Sequence, residues 1–255
     1  VALGVDPDAQ AFITAAALTN PTHQSAVDTL VKALKSNGTW SKYIAIYPLV
    51  GGTADSHKYN LKDPRDLDAA YRIGWVGTIN HSADGFSNTT PSYGNTFYTG
   101  AVHSMGCYTP NNQSLVDAAM GGNVDNGTAP VYIRTQIHAR YSDGVTYMDT
   151  INATSGRVSA ATTGPIGYLT SSYSPGVACF GCRNGTQIAS TTPPNGLPPS
   201  GLPFYVGGSS VVGGTGSNEG RVFSFFTIAN YLTLAEIAAD YTAIQAYQTA
   251  LGRAV

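Results

Sequence analysis

Hydrophobic positions change their spacing twice along this chain. Over residues 1–40 they recur at intervals of three and four: Phe12 and Ile13 follow an Asp6-Pro7 start, and Val27, Leu30, Val31 and Leu34 follow Asn20-Pro21. Asp or Asn before a proline is a helix start signal, so this spacing predicts a helical pair, closed by Asn37-Gly38. From Tyr43 the period becomes two. Strands are predicted at 43–50, 69–75, 131–141, 145–151, 166–170, 176–182, 186–190, 203–206 and 221–228, divided by clusters of Gly, Pro, Asn and Ser. The clearest is 131–141, where Val131, Ile133, Ile137 and Ala139 alternate with Tyr132, Arg134, Gln136, His138 and Arg140, one dry face and one wet. Period three to four returns at the end: Thr233 and Glu236 form a capping box, Ile237, Tyr241, Ile244 and Leu251 mark one face, and Gly252 stops the helix.

Many short strands without intervening helices predict antiparallel sheets packed as a sandwich or jelly roll. The predicted organisation is a helical segment at 1–40 and a mainly β sandwich at 41–255, with a closing helix at 232–252. The Pro- and Gly-rich stretch 191–203 reads as a surface loop.

Composition narrows the function classes. Charged residues are 11% of the 255, against a typical value of about 25%, and Gly (29), Pro (14) and Tyr (16) supply turns and polarity instead. A net charge of −2 with 13 basic residues spread along the chain leaves no footprint for a nucleic acid backbone. No apolar run approaches the roughly 20 residues that span a bilayer, so membrane insertion is not expected.

Three cysteines, Cys107, Cys179 and Cys182, cannot all pair within the chain. Cys179-Phe180-Gly181-Cys182 invites a redox or zinc reading. However, Arg183-Asn184-Gly185-Thr186 reads as a two-residue hairpin turn, which puts both cysteines on the preceding strand with opposite orientations. Unreactive core or surface thiols are expected.

Two resemblances are carried by particular residues. Phe204-Tyr205-Val206-Gly207-Gly208, then 220–226, then Leu232-Thr233-Leu234-Ala235-Glu236-Ile237 resemble the closing section of concanavalin A-like (laminin G-like) lectin sandwiches. Residues 6–62, with Ile46-Tyr47-Pro48-Leu49-Val50-Gly51-Gly52-Thr53 and His57-Lys58-Tyr59-Asn60-Leu61-Lys62, look like the start of a group of bacteriophage virion proteins. Residues 241–255, with Gln245 to Arg253, are similar to their characteristic end, while 78–175 match no pattern of that group. The resemblance implies a concanavalin A-like jelly-roll fold, location in the virion, other virion proteins as partners and a homo-oligomer. The helical ends are the expected attachment segments.

Catalysis has little to work with. Glycosidases need two carboxylates across the scissile bond, and the chain has only two glutamates, Glu219 in a glycine-rich turn and Glu236 in a helix cap. Asp63, Asp66 and Asp68 could form a calcium site or an acid pair, but Pro64 and Arg65 suit a turn better. His23, His57, His81, His103 and His138 show no metal-ligand spacing, and no serine sits in a nucleophile elbow. No cofactor is expected. Asn-x-Ser/Thr triplets at Asn37, Asn80, Asn88, Asn112, Asn126, Asn152 and Asn184 read as chance products of a chain rich in these residues.

Binding remains. Sugars are held by aromatic faces beside amide, hydroxyl and charged groups, which makes Trp75, His81, Tyr93, Tyr98 and Tyr108 one candidate set. Tyr132, Arg134, Gln136 and His138, with Arg140, form another on the wet side of 131–141. The expectation is a non-enzymatic virion protein, a fibre, tip or decoration that touches host cell-surface polysaccharide through many weak contacts. The competing expectations are a purely architectural cement or baseplate protein and a polysaccharide-degrading enzyme.

Overall fold

Each predicted helix forms where its cap places it. In the computed structural model, which describes residues 4–89, 91–111, 120–124, 133–152, 155–164, 166–211, 214–218 and 221–255, α1 spans Pro7–Ala15 and α2 spans Pro21–Ser36. The Asp6 carboxylate accepts from the Asp8 N–H at 3.0 Å, and Asn20 Oδ1 from the Thr22 N–H at 2.8 Å. A short α3 (Ala54–His57) follows, and α4 (Leu234–Ala250) begins with the reciprocal Thr233–Glu236 bonds of a capping box.

The strands are β1 (Tyr43–Tyr47), β2 (Gly74–Val76), β3 (Ile79–Ser82), β4 (Gly85–Asn88), β5 (Tyr93–Asn95), β6 (Ser104–Thr109), β7 (Gly121–Val124), β8 (Arg134–His138) and β9 (Val145–Asp149). They continue with β10 (Arg157–Ala161), β11 (Gly167–Ser174), β12 (Ala178–Arg183), β13 (Thr186–Ser190), β14 (Tyr205–Val206), β15 (Gly208–Val211), β16 (Gly214–Asn218) and β17 (Phe225–Ala229). Six make one sheet in the order β1-β17-β6-β11-β12-β13. A second sheet runs β10-β9-β8-β7-β14-β5-β2, with the β15–β16 hairpin joined to β7, and β3–β4 stand as a small ladder. Among the described strands the β15–β7 pairing is parallel and the others are antiparallel. The fold is therefore the mainly β, antiparallel sandwich expected, with helices at both chain ends.

The core has two layers. Ala45, Tyr47, Met105, Cys107, Ile137, Met148, Val158, Leu169, Phe226 and Ile228 fill the space between the sheets. Ile46, Tyr108, Tyr168 and Phe225, from the other face of the six-stranded sheet, pack against Phe12, Leu30, Leu34, Ile244 and Tyr247 of the helices. Val27, Leu30, Val31 and Leu34 are at most 1% exposed. Each such side chain contributes ~1.5–3 kcal/mol on burial, so these four alone are comparable with the ~5–15 kcal/mol net stability of a typical domain. The apolar stripe of α2 is consumed within the chain.

Burial on both faces explains what the alternation missed. Ser104–Thr109 is buried at every position, and a strand covered on both sides shows no wet face to detect. The predicted strand at 69–75 is corrected: Asp68–Ala70 form a 3-10 turn, Tyr71 takes φ +59°, and extended pairing begins only at Gly74. Arg72 closes that turn on Asp68 at 2.8 Å. The Asn184-Gly185 turn joins β12 to β13 with φ of +50° and +74°, the signs that a two-residue hairpin of this twist requires. Glu219, Asn112 and Asn126 lie outside the described residues.

Gly106 occupies the middle of β6, where a Cβ would stand 2.0 Å from the Tyr168 hydroxyl oxygen and 2.6 Å from Thr227 Oγ1. Gly106→Ala is expected to destabilise the fold by about 2 kcal/mol through overpacking, read by urea denaturation. An unchanged midpoint would show that Tyr168 moves aside without cost.

Candidate functional site

Pairing of β8 with β9 and of β9 with β10 sets Gln136 and Arg157 on either side of Asp149, and His138 and Ser159 on either side of Tyr147. Residues two apart share a face, so Arg134, Gln136, His138, Tyr147, Asp149 and Arg157 lie together on the side of the sheet away from the sandwich interior. Their alternates Ile137, Met148 and Val158 enter the core.

Asp149 is the hub. Its carboxylate, fully buried, accepts from Arg157 Nε and Nη2 at 2.6 and 2.9 Å, and Arg134 Nε lies 2.7 Å from Oδ2 as a second ion pair. The bidentate pairing raises the pKa of Arg157 and fixes the plane of its guanidinium, which lies 4.5 Å from the centre of the Tyr147 ring. The Tyr147 hydroxyl donates to Asp143 Oδ2 at 2.6 Å, which raises the pKa of the phenol. Tyr141 meets both Tyr147 and His138 edge-on, at 5.9 and 5.8 Å between ring centres. The Gln136 amide is oriented so that its oxygen accepts from His138 Nε2 at 2.9 Å and Arg134 Nε at 3.1 Å.

The wet face expected on 131–141 is thereby corrected. It is polar but closed: Gln136 and His138 are 3% and 8% exposed, while the arginine side chains keep 19% and 27%. Hydrogen bonds and ion pairs across three strands pull these side chains onto one another and away from water. Ile133, expected on the dry face, is 37% exposed because it precedes the strand as an isolated bridge to Asn152. Tyr132 lies outside the described residues.

The other candidates do not converge on one place. Trp75 and His81 belong to a separate cluster, in which Trp75 donates through Nε1 to the Ala54 carbonyl at 3.1 Å and packs edge-on against His81 and Phe86. There His57 and His81 face each other with their Nδ1 atoms 3.0 Å apart. The Gly52 N–H donates to His57 Nε2, so His57 carries its proton on Nδ1 and donates it to His81. Burial lowers the pKa of both histidines, that of His57 to about 3.

Tyr93 stacks on Tyr205 at 4.1 Å, and Tyr98 turns its hydroxyl to the Ala101 carbonyl at 3.0 Å. Tyr108 is fully buried and leaves the candidate set. It faces the helical layer because the sheet carrying it is covered on both sides. Cys179 and Cys182 do take opposite faces of β12, one in each core layer, and burial pushes the Cys182 thiol up to about 12. Asp63, Asp66 and Asp68 are paired with Arg65, Lys58 and Arg72 at the surface.

Sequence reasoning missed Asp149, Arg157, Tyr147 and Tyr141. A signal for two of them was present: Asp143-Gly144 is a hairpin turn, and folding 131–141 onto 145–151 about it places Tyr147 and Asp149 beside His138 and Gln136. Arg157 arrives from a strand whose sequence, Arg-Val-Ser-Ala-Ala, carries no strong alternation.

Away from these residues, a cleft of about 530 Å³ opens between the α1–α2 connection and α3, lined in part by Asn20, His23, Thr53, Asp55 and Lys58.

No protein-family model matches the sequence, and no curated protein matches it. Solved structures do. The Ruminococcus gnavus IT-sialidase CBM40 aligns with 53% of this chain and 78% of its own, at 14% identity and TM-score 0.34. Trypanosoma rangeli sialidase, in complex with 2,3-difluorosialic acid, aligns with 86% of this chain but only 38% of its own, at 8% identity and TM-score 0.47. Domain 4 of AbnA, a GH43 extracellular arabinanase from Geobacillus stearothermophilus solved with arabinotriose, is matched over 77% of this chain and 97% of that domain, at 14% identity and TM-score 0.50. What this chain shares with that arabinanase domain is its β-sandwich fold.

Proposed function

We propose that this chain is a non-enzymatic structural protein of a tailed-phage particle, surface-exposed as a fibre, tip or decoration, and that the polar face of β8, β9 and β10 contacts host glycan. One observation carries the binding reading: the rings of Tyr141 and Tyr147 stand beside arginine donors that Asp149 already holds in place. Stacked aromatic faces with pre-set hydrogen bonds are the arrangement that recognises sugar rings, and prior fixing lowers the ordering cost of binding. The arabinanase domain of like fold, which was solved with a bound arabinotriose, supports the same reading. The phage assignment rests on the resemblance of both chain ends.

In this reading the two sides carry different tasks. Helices cover one face of the six-stranded sheet, and the polar face lies beyond the other sheet. Attachment to neighbouring virion subunits through the helical side, where Gly51, Thr53 and Lys58 of the resembling segment line the cleft, leaves the Tyr147 face turned outward. Homo-oligomeric repetition then multiplies a weak single-site contact.

In this reading neither Asp149 nor Glu236 serves as a catalytic carboxylate. Both Asp149 oxygens are occupied by guanidinium donors, and Glu236 is engaged by its cap and by Lys42 at 2.6 Å. Neither is placed to attack or protonate a glycosidic oxygen.

Tyr147→Ala is expected to weaken glycan binding by about tenfold, since a lost stacking and cation–π partner is worth ~1–2 kcal/mol. Titration of array-selected oligosaccharides by calorimetry, with a thermal melt to verify folding, reads this out. Silence of the wild-type protein on the array, with particle association retained in immunogold images of intact virions, favours the architectural alternative. Absence of label from the virion removes the phage assignment.

A further inference from the structure

The composition of the Asp149 cluster points to a narrower class of sugar, an inference that rests on the glycan-contact reading above. Two guanidinium groups surround one carboxylate. Asp149 is wholly buried, with both oxygens engaged, whereas Arg134 and Arg157 remain partly exposed. Arg157 commits Nε and Nη2 to Asp149, which leaves Nη1 and its two N–H donors. Arg134 is ion-paired with Asp149 and donates through Nε and Nη1 to the Gln136 oxygen at 3.1 and 3.3 Å, which leaves Nη2. Asp143 accepts from the Tyr147 hydroxyl and the Val145 N–H and forms no ion pair with either of these arginines.

The two guanidiniums around Asp149 thus carry one positive charge in excess of its carboxylate, on side chains already held by ion pairs. A neutral hydroxyl satisfies such donors only in part. A carboxylate offers two oxygens, no competing proton and charge-assisted bonds roughly twice as strong as neutral ones. The chain as a whole is at −2, so any attraction for an acidic polymer must be local to this face.

We propose that Arg134 and Arg157 recognise the carboxylate of an acidic sugar, so that the ligand is a uronic- or sialic-acid-containing polysaccharide with Tyr147 or Tyr141 against the ring that bears it.

The test uses the full chain and a panel of acidic oligosaccharides (galacturonate, glucuronate, mannuronate, guluronate and sialylated oligomers), each beside its carboxyl-reduced counterpart. At least one acidic member is expected to bind about tenfold or more tighter than its reduced form, because the charge-assisted bonds are lost on reduction. That difference should shrink when salt is raised to roughly 0.5 M, since the arginines are partly exposed. Arg157→Gln is expected to abolish the preference, and Arg134→Lys, which keeps the charge beside Asp149, to weaken it less. Wild-type protein that binds neutral and acidic forms equally overturns the proposal whether or not the variants fold. Neutral binding that is lost in Tyr147→Ala removes this inference alone, and silence towards every saccharide removes the glycan-contact reading with it.

Discussion

Arg253→Ala is expected to lower the stability of the chain by about 4 kcal/mol, which for a protein of this size is a fall in Tm of roughly 10 °C. Arg253 is 4% exposed, three residues from the end of α4, and its guanidinium is spent on acceptors from four segments. Nε donates to Gln248 Oε1 at 2.8 Å, Nη1 to the carbonyls of Leu49 and Ala83 at 2.9 and 3.3 Å, and Nη2 to those of Ser224 and Pro48 at 3.1 and 3.3 Å. The residues after β1, the β3–β4 turn, the approach to β17 and the closing helix are thereby tied at one point.

No carboxylate lies within ion-pair distance of Arg253 among the described residues, so burial lowers its pKa and the carbonyl dipoles hold the charge. Truncation to alanine leaves these carbonyls without donors in a space closed to water, at a cost of ~1–3 kcal/mol for each group that finds no new partner. Urea denaturation of wild type and Arg253→Ala measures the loss. A difference below about 1 kcal/mol would mean that water or Gln248 replaces the guanidinium.

Acid weakens the fold through His57, and the effect is of comparable size. An unfolded histidine takes up its proton near pH 6.5, whereas buried His57 resists until about pH 3, chiefly through desolvation and secondarily through His81 and Arg253. Between these values the unfolded chain binds more protons, so stability present above pH 6.5 is lost as pH falls towards 3. At ~1.4 kcal/mol for each pH unit, the loss from His57 by pH 4 is about 3 kcal/mol. The pair geometry adds a reason: a proton on His81 Nδ1 would meet the Nδ1–H that His57 already directs at it.

Carboxylates with lowered pKa, among them Asp63 and Asp66, act in the same direction at lower pH, so the measurement is a difference. His57→Gln is expected to lose less stability than wild type between pH 7 and pH 4, and parallel curves would refute the assignment.

Both groups stand in segments quoted for their resemblance to virion proteins, one near each end of the chain. Arg253 reaches the carbonyls of Pro48 and Leu49, which belong to the first segment. The two ends are thus packed together at Arg253, and neither contributes a side chain to the Asp149 cluster.

How legible the molecule was depended on how far each signal reaches along the chain. Helix caps act within four residues, so Asp6, Asn20, Thr233 and Glu236 placed their helices to within a residue or two. The Asn184-Gly185 turn is equally local, and with it came the opposite orientations of Cys179 and Cys182. Alternation identified which side chains of β8 face away from the core, since a strand's two faces are set by its own pleat.

Tertiary structure alone decided the rest. Whether a polar face is open or closed depends on its neighbours in the sheet, and only the β8–β9–β10 register gave Asp149 two arginines and shut Gln136 and His138 from water. Tyr108 looked like any other tyrosine until the helices were laid on its sheet. The buried Arg253 and the His57–His81 pair arise from segments far apart in sequence, joined by backbone acceptors and donors that no residue spacing encodes. Local covalent geometry wrote the elements into the sequence, and the exclusion of water between distant segments chose which of their polar groups remained exposed.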